Sequence, residues 1–238
     1  MLAEMVESRI RENWQRVTGA IADAARAAGR DPAGVRLVAV TKRNPPEWVR
    51  PLVGLGQLDL GENYPQELWG KAEALADLAA VRWHLIGHLQ TNKIRRTLPL
   101  VRLVHGVDSP KLLAALDDWA GANPDHPVEV CLQVNTSAED AKHGWSPADL
   151  PGAADAIAAV RHAQVVGLMT IAGYGTTDAE ARPMFDALRD LRDRMRALTG
   201  LALPELSMGM SGDFAAAVAA GSTLVRVGSA LFEGLGDG

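Results

Sequence analysis

The sequence predicts a (β/α)8 TIM barrel with an extra N-terminal helix, and three observations carry that expectation. Eight short apolar runs alternate with helical patterns along the chain. Most of the runs are apolar throughout, as in a parallel sheet covered by helices. Eight strands also close a barrel, and the 238 residues lie near the roughly 250 typical of one. No long Pro/Gly/Ser linker or charge block divides the chain, so residues 1–238 are expected to form one barrel domain. An open doubly wound sheet is the alternative. It usually carries a GxGxxG turn after the first strand, and "TKRNPP" is not one.

The opening segment reads as a helix. Ile10, Trp14, Val17, Ile21 and Ala24 or Ala25 recur at three- and four-residue steps and form one apolar stripe. Gly29 is a suitable stop, and "DPAGV" turns the chain into the first strand. Strands are then expected over 35–41, 58–61, 81–87, 101–108, 128–135, 164–171, 205–208 and 223–229. Among the helices between them the clearest is "RPMFDALRDLRDRMRALTG". There Met184, Leu188, Leu191, Met195 and Leu198 form a stripe, and Gly200 is the expected C-cap.

Composition narrows the function classes. A net charge of −5 with scattered basic residues gives no nucleic-acid or membrane footprint. The short basic run "NKIRR" reads as a solvated helix face, with a secondary anion site around Lys93 as the alternative. The single cysteine, Cys131, excludes an intrachain disulfide framework or a multi-cysteine metal site, and its strand context marks it as a small core residue. The N-terminus lacks the basic start and apolar run of a signal peptide. No stretch approaches the ~20 apolar residues needed to span a bilayer. A cytoplasmic protein is expected.

In a barrel of this type the strand C-termini face the mouth where chemistry occurs. Strand one runs into Lys42, one of five lysines with Lys71, Lys93, Lys111 and Lys142. Lys71, Lys111 and Lys142 sit in surroundings that look solvent-facing, whereas Lys42 reads either as a strand-end lysine reaching solvent or as a reactive amine. After strand two come Glu62, Asn63 and Tyr64. Strand three carries His84, a core or a pocket histidine. Strand seven runs into "MGMSGD", and strand eight carries Arg226 before Gly228 and Ser229. Two small Gly- and Ser-containing turns side by side can form an anion cup, although Ser211 and Asp213 could equally be helix N-caps. A lysine able to form a Schiff base and a phosphate cup are two requirements for holding pyridoxal phosphate.

The stretches "LVAVTK", "GENYPQEL", "WHLIGHLQTNK", "VNTSAEDAKHG", "GLMTI" and "LSMGMSGDFAAAVAAGSTLVRVGSALFE" occur in an order that resembles the YggS/PROSC family, the pyridoxal phosphate homeostasis proteins, over nearly the full length. The resemblance implies a barrel like the N-terminal domain of bacterial alanine racemase. It implies pyridoxal 5′-phosphate carried as a Schiff base on Lys42, with the phosphate held at Ser211, Gly228 and Ser229. It also implies that Asn63 and Met210 line the site and that Arg226 faces the pyridine nitrogen. "TKRNPP" and "TIAGYG" depart from the family's usual loops, which could alter access. An arginine is permanently cationic, so beside the pyridine nitrogen it disfavours a second positive charge and weakens the electron sink. The plainer reading of Arg226 is a barrel arginine paired to a core carboxylate.

Two function classes follow. One is a carrier that buffers or delivers the cofactor without turnover, with apo enzymes that use the cofactor as candidate recipients and a monomer as the expected state. The other is an amino-acid racemase of the same barrel type; a cofactor-free Schiff-base aldolase is a weaker third. Racemisation needs a base on each face of the reacting carbon. In alanine racemase relatives the opposing tyrosine comes from a C-terminal β domain, which this sequence, ending at Gly238, is expected to lack. Tyr64 and Tyr174 both fall in loops.

Overall fold

The computed structural model describes residues 2–137, 144–173 and 175–236. Strands β1 (Arg36–Val40), β2 (Asp59–Glu62), β3 (Arg82–His88), β4 (Val101–Val107), β5 (Val128–Gln133), β6 (Ala163–Met169), β7 (Glu205–Ser207) and β8 (Leu224–Val227) pair in parallel and in sequence order. β8 pairs back onto β1, which closes the barrel. All eight expected strands form, with ends shifted by no more than two residues. Lys142 and Tyr174 lie outside the described residues, as does most of "SAEDAKH".

The helices are α1 (Leu2–Ala27), α2 (Pro46–Gly54), α3 (Pro65–Ala74), α4 (Ile94–Thr97), α5 (Pro110–Ala122), α6 (Ala154–Ala158), α7 (Asp178–Thr199) and α8 (Phe214–Ala220). Proline opens α2, α3 and α5, where a missing N–H costs nothing and the fixed φ suits the first turn. α1 is the expected extra helix. Ile10, Val17, Ile21 and Ala25 are buried, and the side-chain amide of Asn13 donates to the carbonyls of Leu231 (3.2 Å) and Glu233 (2.9 Å). The chain after β8 is thereby tied onto the helix that precedes β1.

α7 starts with a capping box between Thr177 and Glu180 and ends at Gly200, whose φ of 73° is the left-handed cap expected from the sequence. Its buried face differs from the expected stripe. Phe185 is fully buried beside Leu188, Leu191 and Met195, while Leu198 is 50% exposed. Met184 is only partly buried, packed against the same core.

Most apolar burial lies between strands and helices, where Leu37, Ala39, Leu60, Leu85 and Val104 belong to the main core. A second, small cluster of Val38, Leu103, Cys131, Met169 and Leu224 fills part of the barrel interior. Cys131 is the small core residue expected, and burial pushes its thiol well above the ordinary range. Among the described residues no helix is long and apolar enough to cross a membrane.

Candidate functional site

Barrel closure brings the first and last strands together, and the site starts there. Val38 pairs with Arg226 and Ala39 with Val227, which sets Val40 level with Gly228. The approach is close: a Cβ on Gly228 would lie 3.1 Å from the Val40 carbonyl oxygen. Beyond that contact the chain opens into a cleft of about 710 Å³ lined by Lys42, Arg43, Asn44, Gly228, Ser229 and Phe232, among others. Lys42 is exposed, and its amine has no partner among the described residues. The strand-end lysine does reach solvent, and it does so inside this cleft.

The turn that carries Lys42 is unusual. The Asn44 N–H donates to the Thr41 carbonyl at 3.0 Å, and Arg43 between them has a φ of 64°. A long side chain seldom adopts this left-handed conformation. The Asn44 side chain also donates to the Lys42 carbonyl at 3.1 Å.

The turn after β7 lies beside β8, where the Arg226 N–H donates to the Gly209 carbonyl at 2.9 Å. Gly209 has a φ of 95°, and a Cβ there would meet the Ala217 methyl at 2.6 Å, so both conformation and space require glycine. Asp213 does not cap α8 with its side chain. Its carboxylate turns back to accept the Met210 N–H at 2.5 Å, and burial raises its pKa against that bond and the charge of Arg226. The hydroxyls of Ser211 and Ser229 have no hydrogen-bond partner among the described residues, so both remain available to an external anion. Asn63 follows β2, and its backbone is packed so tightly on β3 that a Cβ on Gly87 would come within 2.2 Å of its carbonyl oxygen.

Arg226 lies deeper, 3% exposed within the barrel. It donates to Ser207 Oγ at 2.6 Å and to the Thr170 carbonyl at 2.8 Å, so its direct contacts are neutral, in place of the core carboxylate partner of the plainer reading. Burial lowers its pKa to about 10. Ser207 continues into a buried chain. His105 Nδ1 is 2.7 Å from Ser207 Oγ, His105 Nε2 is 2.9 Å from His84 Nδ1, and His84 Nε2 is 2.9 Å from Asp59. Arg82 closes the far end on Asp59 at 2.6 and 2.8 Å. Burial, then the charges of His84 and Arg226, hold His105 well below the usual imidazole range. Burial alone would raise Asp59, but hydrogen bonds from Arg82 and His84 outweigh it and hold the carboxyl well below its usual range. His84 is therefore a satisfied core histidine.

Lys42, Gly228 and Ser229 thus share one cleft, while Met210 and Ser211 stand in the adjacent turn and Arg226 in the barrel beneath. Lys71, expected to face solvent, instead has its side chain only 11% exposed and ion-paired to the buried Glu62. Lys93 is half-buried, and in the neighbouring basic run Arg96 stacks 4.2 Å from the centre of the Trp69 ring. The residue-level reading missed His105, Ser207 and Asp59. The available signal was alternation, which puts His105 on the same strand face as Leu103. No group of His, Cys, Asp or Glu among the described residues is arranged to hold a metal ion.

Comparison with known proteins adds three findings. Residues 8–235 match the family model described as the N-terminal domain of alanine racemase. A protein of Pseudomonas aeruginosa named pyridoxal phosphate homeostasis protein is 43% identical over 225 residues, covering 94% of this chain and 95% of its own. The structure of PipY from Synechococcus elongatus with PLP bound superposes with a TM-score of 0.79 at 38% identity, covering 89% of this chain and 99% of that one.

The Arg82 ion pair and the His84 contact at Asp59 make a testable contribution to stability. Because its folded pKa is lowered, that contribution is fully present above the unfolded carboxylate value of about 3.9 and is lost as pH falls through the folded value. Asp59→Asn is expected to lower the unfolding free energy at neutral pH by on the order of 3 kcal/mol. Urea unfolding of both proteins should show this gap narrowing as pH is taken below about 4. A gap unchanged on acidification would exclude the ionised carboxylate as its source.

Proposed function

The chain belongs to the pyridoxal phosphate homeostasis protein family and carries the alanine racemase N-terminal-domain fold, and on that premise we propose that it holds pyridoxal 5′-phosphate covalently on Lys42. In this reading it serves cellular homeostasis of that cofactor, by buffering or delivery, without catalytic turnover. The supporting observation is a lysine amine, unpaired among the described residues, in one cleft with Gly228 and Ser229, where the Val40 backbone packs closely on Gly228.

When bound, the cofactor supplies an electrophilic aldehyde carbon, a phosphate and a pyridine ring. Lys42 would hold the group through its amine, which attaches to the aldehyde carbon only without its ammonium proton and with release of one water. The unpartnered hydroxyls of Ser211 and Ser229 and the backbone N–H groups of the Gly228 turn are suited to the phosphate. Asn63 and Met210 would border the ring. Arg226 would face the ring nitrogen and disfavour a proton there.

That last role weakens the electron sink, because an unprotonated ring withdraws electrons weakly, but the racemases share such an arginine and it does not by itself separate a carrier from a racemase. Racemisation also needs an acid or base opposite Lys42. Tyr64, one of the two tyrosines, is 58% exposed.

Borohydride reduction of the yellow protein followed by digestion should place the label on the peptide containing Lys42. A label mainly on Lys71, Lys93, Lys111 or Lys142 would reject the assignment.

The carrier reading has its own check. Long incubation of the cofactor-loaded protein with L-alanine should leave it unchanged by chiral chromatography. D-alanine that accumulates catalytically, and no longer does so in Lys42→Ala, would make the protein an enzyme.

A further inference from the structure

Thr41 precedes Lys42 and is fully buried, with every polar group committed to β2, α3 or its own turn. Its N–H donates to the Gly61 carbonyl at 3.0 Å. Its hydroxyl donates to Glu62 Oε1 at 2.5 Å. Its carbonyl accepts from Lys71 Nζ as well as from the Asn44 N–H that closes the turn. Lys71 also donates to Glu62 Oε1 at 2.6 Å. One buried ion pair therefore grips both the side chain and the carbonyl of the residue before the reactive lysine.

The pair is poorly explained by stability. A buried ion pair gives up hydration that its mutual attraction need not recover, and an apolar pair of similar volume often serves as well. Here the compensation is also incomplete, because Glu62 Oε2 is buried with no hydrogen-bond partner among the described residues. The only described groups that Glu62 binds are Thr41 and Lys71. Immediately beyond the grip lies Arg43 with its φ of 64°, a conformation that persists only where the surroundings fix it. An under-satisfied carboxylate and a strained turn thus stand on either side of one residue, and what both act on is the direction in which Lys42 leaves the barrel.

We propose that the Glu62–Lys71 pair is a positioning clamp: through Thr41 it fixes the turn that presents the Lys42 amine to the cleft. Thr41, Glu62 and Lys71 are then positioning residues for covalent attachment, which rests on the reading of Lys42 given above. Loss of the clamp lets the turn relax, and the amine samples directions unproductive for attachment. The anion cup lies on β7 and β8 and is built independently of these residues, so phosphate capture is unaffected.

The test uses Thr41→Val, which removes the hydroxyl at nearly constant shape, Thr41→Ser, which keeps it, and Lys71→Met, which removes the charge at similar length. Three quantities are read: the rate at which pyridoxal 5′-phosphate becomes borohydride-trappable on Lys42, the affinity for pyridoxine 5′-phosphate, and amide exchange at Asn44 without cofactor. Pyridoxine 5′-phosphate lacks the aldehyde and reports the cup alone. Thr41→Val and Lys71→Met are expected to slow attachment by about five- to tenfold, the worth of one lost hydrogen bond. They should speed exchange at Asn44 and leave pyridoxine 5′-phosphate affinity unchanged, with Thr41→Ser close to the parent protein. Attachment at the parent rate in Thr41→Val would overturn the clamp, and so would an equal loss of pyridoxine 5′-phosphate binding. Should Lys71→Met not fold, the Thr41 pair decides. Failure of the underlying reading is distinct, since the unmutated protein would then carry no label on Lys42.

Discussion

A guanidinium enclosed in the middle of a barrel is the constraint around which the rest of the interior is arranged. An arginine cannot shed its charge readily, and taking a charge out of water costs several kcal/mol unless its donors are satisfied. Arg226 finds Ser207 Oγ and the Thr170 carbonyl, with Asp213 acting on it from farther away. Satisfying Arg226 then obliges Ser207 to place its own proton elsewhere. From Ser207 the contacts continue to His105 Nδ1, from His105 Nε2 to His84 Nδ1, and from His84 Nε2 to Asp59. Every ring nitrogen has a polar partner, and the run ends on a carboxylate that Arg82 also holds. One polar run thus crosses the barrel from the start of β2 to β8, beside an apolar cluster that fills the remaining space.

This arrangement separates the cation under the site from the cation at its rim. Arg226 is fixed, buried and tied to neutral acceptors. Lys42 is exposed on a turn, with its amine unpartnered among the described residues. Between them the closure of β8 on β1 sets Gly228 against Val40, so the cleft owes its position to the sheet and not to a long loop. Lys71 and Glu62 neutralise each other within β2 and α3. The amine of Lys42 is the lysine the cleft presents, which is chemically what a single-attachment site requires.

Much of this was legible in the residues, for physical reasons. A parallel barrel buries both faces of each strand, so all eight appear as apolar runs, and Lys42 stood out as a charge at the end of one. The juxtaposition of Lys42 with Gly228 and Ser229 needed the barrel hypothesis, since the residues are far apart in sequence. Where the reading failed, the deciding contact was tertiary. Lys71 sits in a polar helical stretch that looks solvent-facing, and only the packing of α3 beside β2 turns it inward to Glu62. Likewise a strand histidine such as His105 or a serine such as Ser207 gives no local sign of its partner, because their bond spans the barrel. On α7 the periodicity and its central phase were right, since Leu188, Leu191 and Met195 are buried; at the ends Phe185 is buried more deeply than Met184, and Leu198 is exposed.

The proposal that Arg226 meets the ring nitrogen as a fixed cation is tested most directly by nitrogen NMR of the protein loaded with pyridoxal 5′-phosphate labelled at that nitrogen. The predicted result is an unprotonated nitrogen that accepts a hydrogen bond at neutral pH, with a resonance displaced in Ser207→Ala, where the guanidinium loses one anchor. A protonated ring nitrogen in the unmutated protein would contradict the account, because it would require an anionic partner where the proposal puts Arg226.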